Sequence, residues 1–261
     1  MPNLPNSLEE ATQQAIDAMF TAIDAGDRRI LIDLRFGELK PLPLAKQLAI
    51  RMKERYGNQW QALFSDAGAA ALAKRDWPDI SDQEVSMRGV NEGRAAIRED
   101  DQAFLLIAPS SVEVDQVEKL LALAGDRPFI MFNPRLENSE VGIGLATRKM
   151  RERFLNTFTV CYYMQPLDAG LLWRCYPGLW QVYRQGNEVD SDKQSEQSEQ
   201  SEQSQSVTTE PDDNQGGWQL INEDDHKPSF DELERIFLRA TGKRQTTFLD
   251  RMQQFLSALN R

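Results

Sequence analysis

Residues 101–136 read DQAFLLIAPSSVEVDQVEKLLALAGDRPFIMFNPRL, and the succession of patterns within them decides the fold. DQAFLLIAPS (101–110) is a strand with an uninterrupted apolar centre, as a strand covered on both faces requires. SSVEVDQVEKLLALAG then predicts a helix capped by Ser110 or Ser111 and stopped by Gly125. RPFIMFNPRL (127–136) is a second apolar strand. Strand, helix and strand in succession make a crossover, and crossovers join parallel neighbours with a right-handed path.

Upstream the same alternation repeats. SLEEATQQAIDAMFTAIDA (7–25) predicts an opening helix, with Ser7 and Glu10 as a capping box and Gly26 at its end. RRILIDLRF supplies a first strand over residues 29–36. Residues 43–56 are helical in pattern, WQALFSD (60–66) is a strand, and DAGAAALAKRDW is an alanine-rich helix capped by Asp66. QEVSMRGV (83–90) is a weaker strand. Downstream, residues 145–157 predict a helix and FTVCYYMQPL (158–167) a strand. LLWRCYPGLWQVYR places two aromatic-rich runs around Pro177-Gly178, which is a hairpin signal. The expected fold is therefore α/β: a doubly wound, mostly parallel sheet in residues 1–186, closed by an antiparallel edge hairpin.

Beyond residue 186 the composition changes. Residues 187–217 hold the SEQSEQSEQSQS repeat, too polar to bury the area that ordering demands, and are expected to be disordered. GWQLI restores apolar character and suggests a strand. Pro228-Ser229 with Glu232 opens an amphipathic helix whose Phe230, Leu233, Ile236 and Phe237 share a face, and TTFLDRMQQFLSAL repeats the pattern. Residues 218–261 thus form a helical segment that needs a surface, on its own chain or in a partner's groove.

Charge follows the same division. The net charge of -11 resides mostly in residues 187–227, where twelve acids face only Lys193 and Lys227. The remainder is close to neutral and lacks the basic footprint of a nucleic-acid partner. No run of about 18 apolar residues offers a membrane span. The first residues, MPNLPNSLEEATQQ, lack secretory and transit patterns, so a cytoplasmic chain is expected. Cys161 and Cys175 are too few for a disulfide framework or a metal cluster.

The chemistry-bearing motifs are sparse. No P-loop or nucleophile elbow occurs, and the single histidine, His226, lies in an acidic, loop-like run. Gly142-Ile143-Gly144 lies far from its preceding strand and reads as a loop rather than a dinucleotide fingerprint. No cofactor and no catalytic set are expected. In open parallel sheets ligands bind beyond the carboxyl ends of the strands, which places Asp66, Asn91, Ser110, Asn133 and Arg135 along one rim. They are candidates for a small polar or anionic ligand, with caps and turns as their purely structural alternative. Arg148, Lys149, Arg151 and Arg153, together with Phe230 and Phe237, are the candidates for contact with a protein partner.

Several blocks carry a resemblance. LFSDAGAAALAKRDW, DDQAFLLIAP with SSVEVDQVEKLL, RPFIMFNPRLE, RFLNTFTVCYYMQPL and LLWRCYPGLWQVYR, within residues 4–186, resemble a family of unknown function. That family is found in cyanobacteria and chloroplasts and includes the plant "low photosystem II accumulation" assembly proteins. The resemblance implies an oxygenic phototroph, a cytoplasmic or stromal setting, and a role close to photosystem biogenesis. It carries no catalytic residues across. The function expected is that of a non-enzymatic binding protein, peripheral at the thylakoid, with photosystem subunits or assembly factors as partners. The alternative is an enzyme or sensor for a nucleotide or phosphorylated metabolite at the strand ends.

Overall fold

Strands of four to nine residues built from Ile, Leu, Phe and Met form the centre of a computed structural model of the chain. It describes residues 3–81, 86–136, 153–168, 170–185, 214–215 and 217–241. The chain divides into two bodies, Met1–Pro166 with Arg174–Gly178, and Leu167–Trp173 with Leu179–Arg261.

In the first body β1 (Arg29–Leu34), β2 (Trp60–Phe64), β3 (Ser86–Gly89), β4 (Ala103–Ile107), β5 (Phe129–Phe132) and β6 (Thr159–Leu167) lie in the order β3-β2-β4-β5-β1-β6. Every one of these pairings is parallel. Side chains alternate across the sheet. Leu31, Leu63, Phe104, Leu106, Phe129 and Met131 meet Val117, Leu120 and Leu121 of the helix Val114–Ala124, together with Phe154 and Phe158. The intervening Ile30, Ile32, Ala62, Phe64, Leu105, Ile107, Ile130 and Phe132 are buried as well. Against the sheet lie also α1 (Leu8–Asp24), α2 (Pro41–Tyr56) and α3 (Ala67–Asp76). A short α4 (Pro78–Ser81) follows, which makes Val114–Ala124 α5. The sheet is doubly wound, as the alternation of patterns predicts.

Local chemistry sets most boundaries. Ser7 Oγ accepts the Glu10 amide at 3.1 Å, and Gly26 (φ 100°) ends α1. Glu10 completes its cap on the Asn6 amide at 2.8 Å rather than on Ser7. Pro41 stands at the first position of α2, where its missing N–H costs nothing. Helix α5 begins later than its serines suggest. Glu113 is its N-cap, because the Glu113 carboxylate takes up the Ser110 amide and hydroxyl and holds residues 110–113 as a turn. Of the helix predicted over 145–157, only residues from Arg153 onward are described, and Leu155–Thr157 form a 3-10 turn.

The second body is antiparallel. Most of β7 (Gly170–Cys175) and all of β8 (Trp180–Gln185) belong to it; the turn of their hairpin, with a cis Tyr176-Pro177 bond, is counted with the first body. β10 (Trp218–Asp224), the strand expected from GWQLI, pairs with β8 and with the two residues of β9 (Asn214–Gln215). β9 falls at the end of the segment expected to be unstructured; the rest of residues 187–213 lies outside the described residues. α6 (Phe230–Thr241) opens with a full capping box, Ser229 giving its amide and hydroxyl to Glu232 Oε2 at 2.7 Å each. Phe237 is buried against Gly170, where an added Cβ would lie 2.6 Å from the ring. The helix expected from TTFLDRMQQFLSAL lies outside the described residues. Among the described residues no helix is long and apolar enough to cross a membrane.

Candidate functional site: the carboxyl rim of the parallel sheet

Strand order creates two places where neighbouring strands send their connections to opposite faces, the arrangement that opens a ligand crevice. One is β2 beside β4, followed by α3 and α5. The other is β1 beside β5. The rim residues fall at these points. Asp66 follows β2, Ser110 follows β4, Asn133 and Arg135 follow β5, and Asn91 follows β3 at the outer edge.

The rim is drawn together by backbone. Ala108 (φ 49°) and Asn133 (φ 46°) both adopt the left-handed conformation, each immediately before a proline. These matching kinks turn β4 and β5 at the same level. Ser110 then bridges Arg135 in parallel, the Arg135 amide donating to Pro109 O at 2.7 Å. Asparagine tolerates this conformation and alanine does so at a cost of about 1 kcal/mol. Asn133 also clamps the neighbouring strand: its Oδ1 accepts from Leu34 N at 2.9 Å and its Nδ2 donates to Leu34 O at 3.0 Å. Gly89 has a separate task at the end of β3. A Cβ there would collide with Asn91 Oδ1 and stand 2.5 Å from Ala67 N, so the glycine lets Asn91 and the start of α3 close together.

At four strand ends the amides that would greet an anion are occupied by the chain's own side chains. Asp66 Oδ1 takes the Ala69 amide at 2.8 Å. Glu92 takes the Gly89 amide at 2.8 Å and Arg88 at 2.9 Å. Glu113 fills the turn after β4, at 2.6 Å from Ser110 N, and Asn133 fills the end of β1. Beside them Asp33, 4% exposed, is bonded to Arg35 Nε at 2.7 Å, and the Arg35 guanidinium stacks 5.5 Å from the Tyr163 ring. The rim therefore carries four carboxylates, of Asp33, Asp66, Glu92 and Glu113, the first paired with Arg35 and the third with Arg88, and an exposed Arg135. Val112, 82% exposed, stands between Ser110 and α5.

Sequence reasoning missed Asp33, Arg35, Glu92 and Glu113. Two signals mark them: an acid and a base at the end of the otherwise apolar RILIDLRF, and a glutamate three residues beyond each of Gly89 and Ser110. Three of the partner-facing candidates are described: Arg153 in the first body, and Phe230 and Phe237 in the second. Arg153 lies on α5, its guanidinium 3.0 Å from Glu118 and 3.3 Å from Asp115. Arg148, Lys149, Arg151 and the Gly142-Ile143-Gly144 motif lie outside the described residues. Phe237 is turned inward, 2% exposed, whereas Phe230 is 60% exposed.

Other reactive groups are held quiet. Burial pushes both thiols up, Cys175 to about 11 and Cys161 further, so neither ionises near neutral pH. A groove of about 590 Å³ at the amino ends of the strands is lined by Arg28, Arg55 and Arg127 among acids. Arg55 is bonded to Asp24 and stacks 4.9 Å from the Phe20 ring, while Arg127 donates to the carbonyls of Leu123, Ala124, Arg98 and Asp101. In the second body Asp224 and Asp225 converge on His226. Its Nδ1 lies 2.7 Å from Asp224 Oδ1 and 3.2 Å from Asp225 Oδ1, so the trio is an ion-pair cluster at the surface.

Comparison with known proteins gives one family. The model of a domain of unknown function, DUF1995, matches residues 5–209, reaching past residue 186 into the acidic insert that the resemblance above had left out. No solved structure matches the chain.

Proposed function

The chain belongs to the DUF1995 family, and from that premise we propose that it is a non-enzymatic binding protein that assists assembly or maintenance of the photosynthetic machinery. The photosynthetic setting rests on the block-by-block resemblance to the low photosystem II accumulation proteins. The non-enzymatic half rests on the rim. The ends of β1, β2, β3 and β4 are filled by an internal carboxylate or amide oxygen, from Asn133, Asp66, Glu92 and Glu113. A phosphate arriving there meets like charge and loses the amides it needs, a combination that disfavours anion binding. An exposed Val112 beside the same turn suits a protein surface better than a metabolite.

The experiment is affinity purification of the tagged chain from an oxygenic phototroph. Photosystem subunits or assembly factors, enriched with the native chain and depleted with Val112→Asp, are expected. Recovery of metabolic enzymes alone overturns the proposal. The alternative, a sensor or enzyme for a nucleotide or phosphorylated metabolite, keeps one supporting observation in the exposed Arg135. A thermal-shift screen with millimolar nucleotides and sugar phosphates separates the two. An upward shift that Arg135→Ala abolishes would favour the sensor.

A further inference from the structure

His226 is the only histidine of the chain, and it stands where β10 hands over to α6. On one side of the ring Nδ1 lies 2.7 Å from Asp224 Oδ1 and 3.2 Å from Asp225 Oδ1. On the other side Nε2 lies 3.5 Å from Glu232 Oε1, in the first turn of α6. A neutral imidazole has one N–H donor and an imidazolium has two, so only the protonated ring satisfies carboxylates on both sides. The other charges nearby are engaged elsewhere. Glu223 accepts from Gln181 Nε2 at 2.7 Å, and the Lys227 ammonium lies 5.8 Å from the Trp180 ring. Asp231 adds one more negative charge to the first turn of α6, and Ser229 occupies Glu232 Oε2, leaving Oε1 to the ring.

We propose that His226 is a proton-operated clasp: charged, it ties the acidic end of β10 to the first turn of α6, and neutral, it releases that turn. Phe237, buried on Gly170 two turns further on, keeps the rest of the helix seated, so the movement is confined to the residues around Phe230. The surrounding carboxylates raise the proton affinity of the ring, Asp225 most, then Glu232, then the field of Asp224. Glu232 is held at about 2, chiefly by the Ser229 hydroxyl and amide, with His226 as a smaller contributor. A raised histidine pKa stabilises fully below its ordinary value of about 6.5 and loses that effect as pH climbs through the raised value. A depressed carboxylate stabilises above about 4.5 and loses that effect as pH falls towards its folded value. The clasp is therefore shut between these limits, and it opens on the alkaline side when the ring loses its proton. All the groups are at least partly open to solvent, so salt weakens it.

A single histidine makes the test unambiguous. The ring of the full chain is titrated by NMR while amide exchange is followed over residues 230–233. A midpoint above 6.5 is expected, and Glu232→Gln should lower it by about half a unit at low salt, the scale of an exposed ion pair. Exchange over residues 230–233 should quicken relative to residues 236–239 as pH passes the midpoint. In His226→Gln it should be quick at every pH, with Phe237 keeping the variant folded. A midpoint at or below 6.5, or equal pH dependence of exchange in His226→Gln and the native chain, overturns the clasp.

Discussion

The two bodies handle the same problem, covering a sheet, in different ways. In the first, β2 and β4 are buried at every residue, and helices packed on the sheet leave Phe104, Leu105 and Phe129 at 1% exposure or less. In the second, β10 is only half covered along its length, and the described helix α6 places a single side chain, Phe237, fully inside. Area buried is the main stabilising quantity, at about 25 cal/mol per Å². The first body therefore resists the loss of any one hydrogen bond, while the β10–α6 part of the second, unlike its buried β8, depends on Phe237 and on charge. Such a division puts rigidity under the rim and adjustability under α6, where Phe230 and Leu238 are exposed.

The contrast is open to attack in descending order of effect. Phe104→Ala should destabilise the first body by about 3–5 kcal/mol, read as a lower midpoint in urea, because it empties a closed core position. Phe237→Ala should cost about 3 kcal/mol and free the amides of α6 while those of β4 and β5 keep their protection. Should β4 and β5 lose protection equally, the two bodies would not differ in the way argued. Asn133→Ala removes both bonds to Leu34 and puts a Cβ-bearing residue without a side-chain partner at φ 46°, for about 2 kcal/mol; hydrogen exchange at Leu34 should rise first. Asp66→Ala should cost about 1 kcal/mol through the lost cap of α3. Ala108→Gly is the smallest change and the opposite in sign, a gain of about 0.5 kcal/mol, because glycine adopts φ 49° without strain. A loss at that position would show that the kink is held by something other than local conformation.

How far the residues announced this structure varies with the kind of information involved. The β4–α5–β5 unit is legible in residues 101–136 because uninterrupted apolar runs, a periodic helix and Gly125 each have one structural reading. Asp66 is legible as a cap for the same reason. Strand order is not, since β1 and β5 become neighbours through pairings 100 residues apart that no local pattern encodes. Ser110 and Ser111 are both good caps for α5, and only the three-dimensional placement of Glu113 decides against them. The rim residues follow from the topological rule. What the rule cannot convey is that Glu92, Glu113 and Asn133 point their oxygens back into the chain, a matter of rotamers. Phe230 and Phe237 share a helical face in projection, yet one is exposed and the other buried, because Gly170 admits only the second.

The outer strand β3 carries a last consequence. It is four residues long, and its exposed Arg88 is bonded to Glu92 and to Ser86. A long, flat, apolar border would recruit strands from other copies and seed polymers. A brief border bearing a guanidinium offers few unpaired amides for such recruitment, so this edge of the sheet is a poor template for strands of other copies.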